Sequence, residues 1–203
     1  MKRLLLSLLL LLSACQPLAP RVEGPADLEA WQARQAWVRE ITDWSLEGRA
    51  AIAAGNDGWN ASVDWVQLGE HLSLKFSGPL GVGSASIEGT PEAVEVLTGD
   101  GERFFTRDPE ADLYWQLGWT APIAHMPYWV RGIPGPGEVG LLEIDAAGRL
   151  LRMEQDGWEV EYDTYRLLEG DRALPRKLEM RRGDVRIRLV VSQWKLLNAS
   201  GSN

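Results

Sequence analysis

One cysteine, Cys15, and two histidines, His71 and His125, are all the thiol and imidazole that 203 residues offer. The histidines lie far apart in the chain, and a protein metal cage needs three or four such ligands brought together, commonly at short spacing. A serine nucleophile on a strained elbow would show as G-x-S-x-G, and no such match occurs. Gly135, Gly137 and Gly140 do satisfy G-x-G-x-x-G, but Pro136 stands inside the match and a strand pattern follows where a dinucleotide site needs a helix. Carboxylate pairs such as Glu143 and Asp145 fall on the polar side of a strand pattern, where a solvated face explains them. Catalytic groups can assemble from distant residues, but these points suggest no enzyme, no cofactor and no metal.

The cysteine has a distinctive setting. Lys2 and Arg3 precede the apolar run Leu4 to Leu12, and Ser13 and Ala14 lead directly into Cys15. That is the order of a secretory signal: basic region, apolar region, small-residue cleavage site. The run is too short to span a bilayer, which takes ~20 residues. Leu12-Ser13-Ala14-Cys15 resembles a bacterial lipobox, which implies cleavage before Cys15, a diacylglycerol on its thiol and an acyl chain (palmitate) on its new amino group. The alternative is a free cysteine buried in a core helix, the usual fate of a lone thiol.

The remaining chain suits one domain large enough to fold without disulfides, and none can form within a chain that has a single cysteine. The formal net charge is −8, and loss of Lys2 and Arg3 with residues 1–14 makes the rest more acidic still. Such a balance argues against nucleic acid and against a charge-driven hold on anionic membranes. Membrane attachment would then be through lipid. Ten tryptophans against three phenylalanines favour apolar surfaces with one wet edge.

Residues 15–26 carry Pro17, Pro20, Gly24 and Pro25 and read as a flexible tether, reaching up to about 30 Å in a polyproline-like state. Asp27 makes a plausible N-cap for a helix whose Leu28, Trp31, Val38 and Ile41 fall at roughly helical spacing. From Trp44 the period changes to two, giving a series of hairpins through Thr106 with turns at 55–58, Gly69 and 99–101. Glu47, Arg49, Asp64 and Lys75 fall on the polar face of that sheet. Gly78-Pro79-Leu80-Gly81-Val82-Gly83 is a sharply shaped turn around a leucine that either folds into the core or stands exposed. A helix at 109–117, a proline-punctuated stretch and a second short helix at 127–131 interrupt the strands. Strands resume at Leu141, and Asp156-Gly157 is the best hairpin turn in the chain. Alternation nominates Trp65, Leu72, Leu74, Phe76, Val94, Val96, Val160, Tyr162, Ile187 and Leu189 as inward-facing, and a solid core predicts the same set. The domain spans 27–198, with 199–203 a disordered tail.

Three stretches resemble the LolB family of outer-membrane lipoproteins: W-S-L-E-G-R at Trp44 to Arg49, G-P-L-G at Gly78 to Gly81, and Y-W-V-R-G-I-P-G at Tyr128 to Gly135. The likeness covers nearly all of the chain after the signal. It implies a mostly β fold with helices (α+β), an incomplete antiparallel β-barrel closed by helices over a hydrophobic cavity, as in LolA and LolB. It further implies that a LolA-like soluble periplasmic carrier passes acylated lipoprotein cargo into that cavity for insertion into the outer membrane. The inward residues above would then line the acyl-binding cavity. Leu80, flanked by Pro79 and Gly81, matches the exposed apolar residue that the family uses to deliver cargo to the bilayer, although Gly78 replaces the asparagine expected there. Gln16 is not the aspartate that retains lipoproteins in the inner membrane of enterobacteria. The implied place is the periplasmic, inner leaflet of the outer membrane of a Gram-negative bacterium, as a monomer. Two alternatives stand beside this: an envelope lipoprotein of similar fold that binds another lipid, and a structural scaffold lipoprotein.

Overall fold

A computed structural model of the chain describes residues 21–23, 27–79, 84–112, 120–168, 170 and 172–197. Helix α1 (Leu28–Glu40) begins where Asp27 caps it, its carboxylate accepting from the Ala30 N–H at 3.0 Å. The helix turns Trp31, Arg34 and Val38 into the protein and leaves Leu28 54% exposed. Leu28 therefore does not belong to the packed stripe. An arginine fills part of the stripe instead.

Two antiparallel meanders follow. The first runs β2 (Asp43–Ala54), β3 (Asp57–Leu68), β4 (His71–Ser77), β5 (Ala85–Thr90), β6 (Ala93–Thr98) and β7 (Arg103–Thr106). The second runs β8 (Val139–Ile144), β9 (Leu150–Gln155), β10 (Trp158–Leu167), β11 (Ala173–Arg182) and β12 (Val185–Leu196). Strand β12 pairs back on β2 and joins them into one sheet, from Val185 opposite Ala54 to Leu196 opposite Trp44. The sheet order is β1-β8-β9-β10-β11-β12-β2-β3-β4-β5-β6-β7, with β7 at one edge. At the other edge β1 (Arg21–Glu23) pairs in parallel with β8. The sheet is therefore open, as an incomplete barrel requires. Residues 21–23 are strand where composition suggested tether.

Strict alternation holds where the sequence shows it. Trp44, Leu46, Ala50 and Ile52 are buried on β2, while Glu47 and Arg49 are exposed. Asp156 and Gly157 both have positive φ, 50° and 74°, the conformation a two-residue hairpin turn needs. The pattern fails in β10, where the register slips between Tyr162 and Tyr165. An extra residue on β10 there, offset by one on β11, brings Tyr162 and Tyr165 to the same side, ring centroids 6.0 Å apart. Opposite the slip, Pro175 faces Tyr165 within β11. A proline has no N–H for the ladder, and β12 pairs with β11 only from Lys177 onward, so Pro175 lies beyond that ladder.

The apolar face gathers into one cluster. Trp44 packs on Trp65 at 5.0 Å and on Trp194 at 5.3 Å between ring centroids. Helix α1 lies against the β8–β9 turn, so close that a Cβ on Gly148 would stand 2.4 Å from the Ala30 backbone. Asp145 builds that turn, accepting from the Ala147 and Arg149 N–H groups at 2.9 and 2.8 Å.

The outer face carries charge. Glu179 of β11, 8% exposed, sits among Arg181 at 2.5 Å, Arg188 at 2.6 Å and Arg186 at 3.6 Å. Burial works to raise its pKa, but the hydrogen bonds from Arg188 and Arg181 outweigh burial and hold it below the ordinary 4.5. A depressed carboxyl stabilises the fold above the unfolded value and loses that contribution as pH falls through the folded one. Acid unfolding of the wild type should accordingly steepen below pH 4.5. Glu179→Gln should flatten that limb, read as the urea midpoint across pH 2 to 7.

Candidate functional site

The apolar face of an open sheet has to be covered, and the segment between β7 and β8 supplies much of the cover. Residues 109–112 are helical, as expected, and the remainder of the helix expected over 109–117 lies outside the described residues. Helix α2 (Met126–Trp129) follows, with Pro127 in its first turn. It starts one residue before the sequence suggests and passes through turns at 130–132.

Trp129 is the point of α2 that enters the sheet. Its ring is fully buried, stacks on His125 at 5.1 Å and lies 6.3 Å from Trp158 of β10. Its carbonyl accepts from the Tyr162 hydroxyl at 2.9 Å. Its indole N–H donates to the Gln155 side chain at 2.9 Å, and the same amide oxygen accepts from the Gly135 N–H at 3.0 Å. Gln155 Nε2 donates to the carbonyls of Gly135 and Pro136 at 2.9 and 3.0 Å. One buried amide thus holds the helix and the loop after it to the end of β9.

Arg131 joins this cover to α1. Its Nε donates to the Pro127 carbonyl at 2.7 Å, and its Nη1 to the Val38 and Ile41 carbonyls at 3.1 and 2.5 Å. Those last two are backbone acceptors at the C-terminus of α1, where unpaired carbonyls accumulate. Burial pushes the Arg131 pKa down to about 10, and the guanidinium stays charged at neutral pH. Arg34 does similar work from α1, donating to the Ala173 carbonyl at 2.7 Å and lying 4.9 Å over the Tyr165 ring. Burial lowers its pKa as well. At the open end of the cover His125 meets the Asp156 carboxylate at 2.6 Å, and Glu110 meets Arg182 at 3.5 Å. Burial raises the Glu110 pKa more than Arg182 lowers it.

The structure places Trp65, Leu72, Leu74, Val94, Val96, Val160, Tyr162, Ile187 and Leu189 together in the buried cluster, with Phe76 half-buried against it. Trp44, Trp129 and Trp158 share that interior and were not singled out for it; Trp44 and Trp158 continue alternations already visible in the sequence. Trp44 and Trp158 bury indole N–H groups that have no hydrogen-bond partner among the described residues. Arg34, Arg131 and Gln155 carried no signal, because a reading by polarity assigns such residues to solvent. Pro79 is exposed at the start of the loop after β4, while Cys15, Leu80 and Gly81 lie outside the described residues.

The family model described as outer membrane lipoprotein LolB matches residues 42–194, from the first long strand to the last. The chain belongs to the LolB family. The outer-membrane lipoprotein LolB of Alkalilimnicola ehrlichii is 40% identical over 188 residues, covering 92% of this chain and 92% of that protein. That of Stutzerimonas stutzeri is 37% identical over 190 residues, covering 93% and 92%. Among solved structures, a LolA superfamily protein from Nitrosomonas europaea superposes with TM-score 0.52 at 14% identity, over 84% of this chain and 94% of that one. A DUF1329 family protein from Desulfovibrio piger gives 0.56 at 8% identity, over 88% and 96%. At such identities the structures share the fold alone. In this LolB-family chain the Y-W-V-R-G-I-P-G stretch is the one that Gln155 and Arg131 fasten.

Gln155→Leu would leave the Trp129 and Gly135 N–H groups and two carbonyls without their partner. Each unsatisfied buried group costs roughly 1–3 kcal/mol before relaxation, so an overall loss of about 3 kcal/mol is expected, measured by chemical denaturation. Trp129 fluorescence should shift to the red at the same time.

Proposed function

We propose that this LolB-family lipoprotein takes acylated lipoproteins from a soluble, LolA-like periplasmic carrier into its apolar interior and inserts them into the outer membrane. The observation that carries this reading is the pairing of a largely apolar sheet face with a cover fastened by a few polar bonds. An acyl chain in water costs about 0.8 kcal/mol per CH₂, so cargo with several chains needs a dry compartment at every step. Displacing α2 and its Trp129 would expose the inward residues, from Trp65 and Phe76 to Tyr162 and Leu189, as the lining. The unpartnered indole N–H groups of Trp44 and Trp158 are donors suited to an acyl ester or amide carbonyl. Transfer then runs downhill from carrier to receiver to bilayer, with no chemical step assigned to this chain.

Cys15 carries the lipid anchor, and the domain acts as a monomer on the periplasmic side of the inner leaflet. Pro79, Leu80 and Gly81 form the delivery point. Burying one leucine in lipid contributes roughly 2 kcal/mol, enough to bias docking and too little to hold the protein there.

The decisive experiment loads a soluble carrier with triacylated cargo and asks whether cargo moves to this protein. Movement is the expected result. No movement, with both proteins folded and the carrier competent, would favour a scaffold or a binder of some other lipid. Exported behind a leader cleaved without lipidation, the Cys15→Ala chain should stay in the soluble periplasmic fraction; retention in membranes would overturn the assignment of the anchor. Leu80→Glu should accept cargo normally yet insert it at least tenfold more slowly, as the loss of roughly 2 kcal/mol of lipid contact predicts. Loss of folding in that variant would make Leu80 a core residue.

A further inference from the structure

On the outer face of the sheet, opposite the apolar interior, a groove of about 660 Å³ runs across β12, β2, β3 and the end of β4. Two rows of side chains face it. Arg188, Ala51 and Asn60 lie side by side on β12, β2 and β3, and Val190, Arg49, Ser62 and Ser77 lie side by side one step along. The floor is therefore made of small residues, with two guanidinium groups on one side. Gly78 and Pro79 form the wall at the other side.

The charges are unevenly matched. Arg188 gives its Nε and Nη2 to Glu179 at 2.9 and 2.6 Å, which leaves Nη1 without a partner among the described residues. The Arg49 side chain has no ion pair or hydrogen bond among them, although its backbone belongs to the β2 ladder. The acids nearest along its own face are engaged or offset: Glu47 pairs with Lys195 at 3.1 Å, and Asp64 stands opposite Lys75. Asn60, Ser62 and Ser77 add uncharged donors. Two forked cations and two hydroxyls around a shallow, small-floored groove suit a phosphate, since guanidinium presents parallel N–H groups at the spacing of phosphate oxygens.

We propose that this groove binds the phosphodiester of a glycerophospholipid headgroup, with Arg49 as its principal ligand. The inference deepens the delivery step above and rests on that reading. Pro79 lines the groove and immediately precedes Leu80 in the chain. Because Pro79 is adjacent to Leu80 in the chain, a loop that enters the bilayer at Leu80 carries the groove toward the headgroup layer. The site gives an acidic protein one unneutralised guanidinium, Arg49, beside the loop that would meet the surface.

The test uses the full lipidated protein reconstituted in vesicles of phosphatidylethanolamine and phosphatidylglycerol, with cargo supplied on the carrier. Arg49→Gln should accept cargo at the wild-type rate and insert it about fivefold more slowly, the ~1 kcal/mol that one arginine contributes at an anionic surface. Arg49→Lys, which keeps the charge but loses the fork, should recover only part of that rate. A phospholipid bearing a photoreactive headgroup should cross-link to the 59–79 region of the wild type and fail to do so in Arg49→Gln. Inorganic phosphate at 10 mM, an assay concentration on the order of ordinary buffers, should leave the cross-link in place; its abolition would identify a free-anion site and overturn the headgroup assignment. Equal insertion and equal cross-linking by Arg49→Gln would overturn it too. If the wild type accepts no cargo at all, the receiver function itself fails, whereas the cross-link still reports on the groove.

Discussion

A sheet that curves without closing leaves one face that water must not reach, and the rest of this protein answers that constraint. Strand β7 ends one side and β1 the other, so the strands cannot bury the face by themselves. Helix α1 and the described residues 120–138 between β7 and β8 cover it. The cover is held by directional bonds as much as by apolar contact. Gln155 binds Trp129 and Gly135, Tyr162 binds the Trp129 carbonyl, and Arg131 ties the α2 region to the end of α1. Under the proposed function, a cover attached by a few buried polar bonds would leave as a unit once those bonds exchange partners. A cover attached only by interdigitated side chains would have no such seam.

The hairpins were legible because each strand is apolar on one side only, and alternation survives in composition. Asp27 and Asp156-Gly157 marked a helix start and a tight turn through chemistry that works locally. What escaped notice depends on distant partners. Pro175 sits in a strand where β11 pairs with β10 but lies beyond the ladder to β12, which begins at Lys177, and no neighbour in sequence announces this. The three residues of β1 are strand only because β8 offers an edge. Arg34 and Arg131 are buried because backbone carbonyls surround them, while their own charge argues for solvent. The inward residues were recovered for the same reason that they are ambiguous: a packed core and a cavity lining obey one alternation. The anchor and the tip of the delivery loop rest on motif alone.

Charge is divided between the faces with some economy. The chain is acidic overall, at −8, yet Arg181, Arg186 and Arg188 crowd one carboxylate, Glu179. The arginines are half-exposed while Glu179 is buried, so beyond offsetting its burial they fix several long side chains in place. With Glu179 holding Arg188, the neighbouring Arg49 is left as an unneutralised positive charge beside the loop that begins at Gly78.

The parallel pairing of β1 with β8 sets a limit on movement that a free tether would lack. With Cys15 acylated, only the six peptide steps from Cys15 to Arg21 lie between lipid and sheet, and a chain extends at most ~3.6 Å per residue, or about 20 Å in all. The domain is thereby confined to a thin layer above the bilayer, close to its own diameter. Under the proposed function it would not reach out into the periplasm to meet a loaded carrier. The carrier would have to come down to the membrane surface, and the exchange of cargo would be a surface event rather than one in bulk solution.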